Sequence, residues 1–157
     1  MGGDPGFNRC INGVVFALLQ SGSNHIYVGG QFERYLGRSY NGIIRLDLSG
    51  SIDTGFNPGK GFNGPVRAIQ FASGSSDIYV GGEFTQYSGS KDVKYFVRLK
   101  SDGTISSNFK EHGELNGRVN TIYVSTEGGN SGSVYLGGAF TQYPGIVTGK
   151  QIGRAHV

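Results

Sequence analysis

The chain repeats one short motif three times, and this repeat constrains its fold more than any other feature. Residues Ile26–Phe32 read Ile-Tyr-Val-Gly-Gly-Gln-Phe, Ile78–Phe84 differ from them only at the sixth position, and Val134–Phe140 keep the same pattern. The motif recurs after 52 and then 56 residues. A period of this length is typical of supersecondary units that stack on one another, and not of a fold built around one site.

Other landmarks keep the same order around each motif. An Asn-Gly pair precedes it in all three units, and in the first two units an Arg-Leu pair follows it and a Phe with a polar neighbour closes the unit. The last residues, Ile152–Val157, resemble a translated sequencing-library adapter with the codons ATC GGA AGA GCA CAC GTC. We therefore expect a fragment of a longer array. Its predicted parts are the end of a preceding repeat (1–8), a first repeat (9–57), a second repeat (58–110), an incomplete third repeat (111–150) and an adapter-derived tail (151–157).

Each unit predicts short strands separated by turns that are rich in Gly, Ser and Asn. The predicted first strands are Val14–Gln20, Val66–Phe71 and Val119–Val124, and the second strands are His25–Gly30, Asp77–Gly82 and Ser133–Gly138. The predicted third strands are Gly42–Asp47 and Tyr95–Lys100, followed by short fourth strands at Ser51–Asp53 and Thr104–Ser106. Four strands in about 53 residues describe a propeller blade. The sequence predicts an all-β partial β-propeller with about two complete, antiparallel, four-stranded blades. A β-solenoid is the second architecture, although solenoid repeats are usually shorter.

Composition supports an all-β protein and excludes several partners. The 29 glycines occur together with nine Tyr and ten Phe, which distinguishes the chain from a disordered glycine-rich segment. The net charge of +3 comes without a cluster of Lys and Arg, so we expect no nucleic-acid partner. No apolar run approaches the roughly 18 residues that a membrane span needs. Cys10 is the single cysteine, so an intrachain disulfide is excluded.

The combined motif resembles the delta-60 repeat. The matching string runs from Asn-Gly-x-Val through Ile-Tyr-Val-Gly-Gly-x-Phe and Arg-Leu-x-x-x-Gly-x-Ile-Asp to Phe-Asn, and it covers about residues 4–145. Ser106 and Lys110 depart from the pattern, and the third unit lacks its Arg-Leu segment. The resemblance implies a β-propeller repeat of large bacterial proteins, often secreted or on the cell surface. It implies no defined activity and no catalytic residues.

The recurring glycines and phenylalanines are interpreted as structural residues. Glycine inside a strand marks a bulge or a close backbone approach, and an aromatic residue required in every unit suits packing between neighbouring units. A phosphate cradle is the alternative for the Gly-Gly pairs, but no helix start follows them. The residues concerned are Gly29, Gly30, Gly81, Gly82, Gly137 and Gly138, with Phe32, Phe84 and Phe140.

Three tyrosines beside the loops are the candidates for contact with a ligand. Tyr35, Tyr87 and Tyr143 recur once per unit, and aromatic rings can stack on sugars or bases. Function in a propeller also resides in the non-recurring loops, which here are Arg34–Ser39, Ser88–Lys94 and Glu111–Glu114. The histidines have no neighbouring residues of catalytic type, and the sequence predicts no catalytic, cofactor-binding or metal site.

Two further groups carry charge. Arg45 and Arg98 recur within an apolar strand, so each needs carbonyl or carboxylate partners, and Asp47, Glu33 and Glu83 are the expected ones. The run from Asp47 to Asp53 is rich in oxygen atoms and resembles a short calcium loop, but it lacks a terminal bidentate Glu. A plain turn is the alternative interpretation.

The sequence favours a non-catalytic propeller segment that acts as a scaffold or interaction surface of a larger, bacterial, extracellular or surface protein. Its partners would be the remaining blades of the parent chain, with a protein or glycan ligand as a further possibility. Two alternatives stay open. One is a carbohydrate-binding, lectin-like module that uses the loop tyrosines, and the other is part of an enzymatic propeller whose catalytic residues lie in other blades.

Overall fold

The structure, a computed structural model, describes residues 10–89, 93–107, 109 and 115–142, and the backbone of 152–155. Its strands are β1 (Val14–Ser21), β2 (His25–Gln31), β3 (Arg34–Tyr35), β4 (Arg38–Ser39), β5 (Ile43–Asp47), β6 (Val66–Phe71), β7 (Ile78–Gly82), β8 (Phe96–Leu99), β9 (Val119–Val124), β10 (Val134–Gly138) and β11 (Ile152–Ala155). Residues 128–130 form one 3-10 turn. Within these residues no helix is long and apolar enough to cross a membrane. The predicted end of a preceding repeat (1–8), Tyr143 and the predicted loop Glu111–Glu114 lie outside the described residues.

Three sheets correspond to the three sequence units. Strands β1, β2 and β5 form the first sheet, and β6, β7 and β8 form the second, both antiparallel throughout. In the third sheet β9 and β10 are antiparallel, whereas β11 pairs with β10 in parallel. The predicted fourth strand is reduced to a single bridge, Leu46 with Ile52 in the first sheet and Leu99 with Ile105 in the second. The predicted loop Arg34–Ser39 forms a small hairpin, β3–β4.

The second glycine of each motif lies under a bulge in the neighbouring first strand. The ladder shifts register between Val15 and Ala17 and at the equivalent points of the other two sheets. A methyl group at Gly30, Gly82 or Gly138 would collide with a backbone carbonyl of that strand. The bulge brings two backbones closer than a side chain permits, and this explains why glycine stands there.

The first glycines of the first two motifs, Gly29 and Gly81, receive side chains from the following sheet. We call the two apolar residues at the equivalent register positions of each first strand the ridge: Val15 and Leu18, Val66 and Ile69, Val119 and Ile122. We call the opposite surface of each sheet, which carries the first glycine and the motif tyrosine, the glycine face. A methyl group at Gly29 would lie 2.6 Å from Cγ1 of Val66 and 2.8 Å from Cδ1 of Ile69. At Gly81 it would lie 2.6 Å from Cγ1 of Val119. The ridges of the second and third sheets therefore rest on the glycine face of the preceding sheet.

The core is built from these contacts between sheets. Tyr27 and Ile43 of the first sheet pack in one cluster with Val66, Val80 and Val97 of the second. A second cluster joins the second and third sheets in the same way. Full burial of a side chain of this size contributes about 1.5–3 kcal/mol, so the stack, and not any single sheet, stabilises the fold.

Candidate functional site

A recurring asparagine holds the loop that follows each second strand. Oδ1 of Asn63 accepts hydrogen bonds from the N–H groups of Thr85 (2.8 Å) and Gln86 (2.9 Å), and its Nδ2 donates to Oγ1 of Thr85. Asn12 and Asn116 make the same pair of backbone bonds in their units. We call this arrangement the asparagine clasp. The sequence identified the Asn-Gly pairs as turns, and the structure adds this side-chain role.

The recurring phenylalanines lie in the interior. Phe84 is buried and its ring centroid is 4.2 Å from that of Phe62, which belongs to the link between the first two units. Phe32 and Phe140 are buried in the clusters of their own sheets. Gly137 pairs with Thr121 in the third sheet, at the register position of Gly29 and Gly81. All these residues take part in packing within or between sheets.

The structure places Tyr35 and Tyr87 inside the protein and not on an open ligand surface, which corrects the role predicted for them. The side chain of Tyr87 is 2% exposed, and its hydroxyl donates a 2.5 Å hydrogen bond to the carbonyl of Gly103. Tyr35 makes the equivalent bond to Gly50. Burial raises the pKa of the Tyr87 hydroxyl. Each ring is anchored on the turn that closes its own sheet, so its polar atom is already in use. Tyr143 lies outside the described residues.

Arg45 binds a carboxylate as expected, but the partner is Asp53 and not Asp47 or Glu33. Its Nε lies 2.5 Å from Oδ2 of Asp53, and its Nη1 donates to the hydroxyl of Tyr27 and to the carbonyl of Ser101 in the second unit. Nε2 of His25 is 3.3 Å from the same Asp53 oxygen. Burial alone would raise the pKa of Asp53, but the bonds from Arg45 and from the Gly55 N–H lower it overall. The group links two units and orients one carboxylate.

Arg98 occupies the same position in the second sheet but takes its carboxylate from another strand. Its Nε donates to Oδ2 of Asp77 at 2.8 Å, and Oγ of Ser106 donates to the same oxygen at 3.0 Å. Asp77 stands where the first unit has His25, and Ser106 stands where it has Asp53. In the first unit the carboxylate therefore belongs to Asp53, directly after the bridging residue Ile52. In the second unit it belongs to Asp77, directly before β7. Glu83, the other expected partner, pairs with Arg67.

The oxygen-rich run at Asp47 forms a turn. Oδ1 of Asp47 accepts hydrogen bonds from the N–H and Oγ of Ser49 and from the N–H of Ser51. Asp102 makes the matching bonds to Thr104. Among the described residues no group of three His, Cys, Asp or Glu side chains could hold a metal ion. The donors of the turn occupy the oxygen that a calcium ion would need.

These turns predict acid sensitivity. The hydroxyl bond from Ser49, then the Ser51 N–H, lowers the pKa of Asp47, and the bonds from Thr104 lower the pKa of Asp102. A lowered pKa gives stability that is present above the unfolded value of about 3.9 and is lost as pH falls through the folded value. We expect the melting temperature to fall below about pH 4, and to fall less steeply in the double variant Asp47→Asn, Asp102→Asn. Melting curves at several pH values check this; parallel curves would contradict it.

The β3–β4 hairpin carries the most unusual exposed residue. Leu36 and Gly37 connect the paired residues Tyr35 and Arg38, both with positive φ (49° and 75°), as in a type I′ turn. Such a turn favours Asn-Gly, and leucine is strained there. The Leu36 side chain is nevertheless exposed, and it borders a cleft of about 720 Å³ between the hairpin and the turn at residues 49–52. This cleft is the candidate contact site.

Comparison with known proteins supports the fold. Residues 22–56 and 76–109 match a family model described as "Domain of unknown function (DUF5122) beta-propeller". The two segments are equivalent, since each runs from the first hairpin of a unit to its closing phenylalanine. No curated protein and no solved structure matches the chain. Together with the stacked antiparallel sheets, the match confirms the predicted fold class: the chain is an all-β partial β-propeller.

Proposed function

We propose that the chain is a non-catalytic propeller segment that serves as a scaffold and interaction surface in a larger protein. The proposal includes the finer identity suggested by the sequence, a delta-60 repeat of a bacterial extracellular or surface protein. The matched family model carries no activity in its description, which agrees with a structural role. The remaining blades of the parent protein would be the first partners of the segment.

The observation that carries the proposal is that the recurring asparagines, arginines and loop tyrosines of the described residues bind partners within the fold. The asparagine clasps hold loops, Arg45 and Arg98 bind carboxylates, and the buried tyrosines bind turns. Among the described residues every fully buried side-chain nitrogen or oxygen has a hydrogen-bond partner. Recurring side chains whose hydrogen bonds are all made within the protein stabilise the stacked sheets. A ligand site would instead leave polar atoms directed at the ligand.

The interaction surface of the scaffold would be the hairpin tip. A strained, exposed apolar residue has no stabilising role, and such residues concentrate at functional positions. Leu36 is of this kind, and it lies beside a cleft that also includes Arg38 and the turn at residues 49–52. An apolar tip flanked by a cation suits a protein surface. A carbohydrate role would use the loop tyrosines, of which Tyr35 and Tyr87 are buried.

Melting curves of a few variants test whether the recurring polar side chains stabilise the fold while Leu36 does not. We expect Asn63→Ala and Arg98→Ala to lower the free energy of unfolding by about 1–2 kcal/mol, because each leaves internal partners unsatisfied. Leu36→Asn should raise it by about 1 kcal/mol, since Asn tolerates the left-handed conformation. Leu48→Asn is the matched control, an exposed leucine without positive φ, and should change little. A gain on removing Asn63 or Arg98, or a loss at Leu36, would overturn the proposal.

A further inference from the structure

The two outer surfaces of the stack are the two surfaces that meet wherever one sheet packs on the next within the chain. At one end the ridge of the first sheet is open: Val15 is 40% and Leu18 is 63% exposed. The equivalent Val66 and Ile69 are 0% and 8% exposed, because they rest on the glycine face of the first sheet. The identical strand register of the two sheets makes this equivalence strict.

At the other end the glycine face of the third sheet is open. Tyr135 takes the register position of Tyr27 and Tyr79, which are buried between sheets, but its own ring is 41% exposed. Tyr123, on the neighbouring strand of the same face, is exposed as well, and its ring centroid is 6.1 Å from that of Tyr135. The described stack therefore has an uncovered ridge at one end and an uncovered glycine face at the other.

We propose that a second copy of this chain closes the stack in the position that a neighbouring blade of the parent protein would take, with the ridge of each copy on the glycine face of the other. The same contact already occurs twice within the chain, so its chemistry is known: Val and Ile side chains above a strand glycine and a tyrosine. The contact joins two different surfaces, and repeated contacts of this kind either close into a ring or grow into a filament. Two copies supply six sheets, within the range of about 4–8 that closes a propeller. The assembly concerns packing alone and does not depend on the hairpin.

The test is the oligomeric state of purified chain by sedimentation velocity over a range of concentrations. We expect a dimer for the natural chain, and a dissociation constant weakened roughly tenfold to a hundredfold by Leu18→Ser, with Leu18→Asp monomeric. Leu48→Asp is the matched control, because Leu48 is also 63% exposed but lies on an outer turn. Melting curves establish that each variant is folded. Both positions are exposed, so the variants should fold.

A mixing experiment tests the head-to-tail arrangement itself. Tyr135→Glu disables the glycine face and leaves the ridge intact, whereas Leu18→Asp does the reverse. Each variant alone should be monomeric, and the mixture should form a one-to-one heterodimer through the single pair of intact surfaces. If two ridges met face to face instead, Tyr135→Glu would remain dimeric and the mixture would gain nothing. A monomeric natural chain, or a dimer that survives Leu18→Asp, overturns the proposal.

Discussion

Alanine at position 82 is expected to lower the free energy of unfolding by about 3 kcal/mol, near the upper end of the usual range for overpacking. The added methyl group would meet the carbonyl oxygen of Pro65 and, at 3.0 Å, Cα of Val66. Both are backbone atoms of a paired strand, so no side chain can turn aside. The strand must separate from its neighbour at the bulge or shift its register.

Thermal or urea unfolding of Gly82→Ala measures this loss. Gly129→Ala is the matched control, since a methyl group there meets no heavy atom within 4 Å and the backbone φ is not positive. That variant should stay within about 0.5 kcal/mol of the natural chain. Because about 1 kcal/mol changes the melting temperature of a chain of this size by roughly 2–4 °C, the two variants should differ by roughly 6–12 °C. Equal melting temperatures would refute the tight approach at the bulge.

Replacing Asp77, the carboxylate partner of Arg98, should produce the second largest loss in the free energy of unfolding. Asp77→His alone leaves Arg98 without its carboxylate, in a place where both side chains are about 15% exposed. We expect a loss of about 2 kcal/mol, below the 3–5 kcal/mol of a fully buried pair because water still reaches the site. Arg98→Met should also lower stability, since Asp77 then keeps only the Ser106 hydroxyl.

The decisive variant combines Asp77→His with Ser106→Asp. It recreates the first unit, in which His25 and Asp53 surround Arg45, and should recover most of the loss. A double-mutant cycle gives the coupling energy, expected at about 1.5 kcal/mol or more because the residues share one network. The reciprocal pair, His25→Asp with Asp53→Ser, serves as the control in the other unit. Additive effects would show that the two positions do not compensate each other.

Much of the fold could be predicted because the sequence pattern of each strand and turn occurs in more than one unit. Alternating and apolar runs located three strands in each of the first two units and two strands in the third, all within one residue at each end. The fourth strand was overestimated. Ile52 and Ile105 are the only residues of the predicted segments that bridge, because the turns before them bend the chain away after one pair.

The arginine partners show where sequence reasoning ends. A buried cation requires a carboxylate, and this was predicted, but the choice among nearby acids depends on strand register. Pairing of Tyr27 with Arg45 and of Leu46 with Ile52 brings Asp53 beside Arg45, whereas Asp47 is used by its own turn. Aligning the two units would have revealed the exchange, since His25 and Asp53 change together to Asp77 and Ser106.

The loop residues were the hardest to predict. The recurrence of Tyr35 was correctly noted, but the direction of its hydroxyl depends on the turn at Gly50, which lies 15 residues away in the chain. Leu36 lies in the loop Arg34–Ser39 that the sequence proposed as a functional loop, but it was not singled out because it does not recur: the second unit has Ser88, with the same positive φ of 49°. An apolar residue before glycine in a two-residue hairpin is the signal that could have identified it.

The asparagine clasp has a consequence for chemical ageing. In Asn-Gly the backbone nitrogen of the glycine attacks the side-chain carbonyl carbon of the asparagine more readily than in other dipeptides. Ammonia leaves and a cyclic imide forms, which water opens to aspartate or to isoaspartate, whose backbone is longer. In the folded chain Oδ1 of Asn63 is held by two N–H donors and its Nδ2 by Thr85, so the amide is not free to cyclise. Unfolding releases it. Deamidation at these three positions would therefore record how long a preparation has spent unfolded.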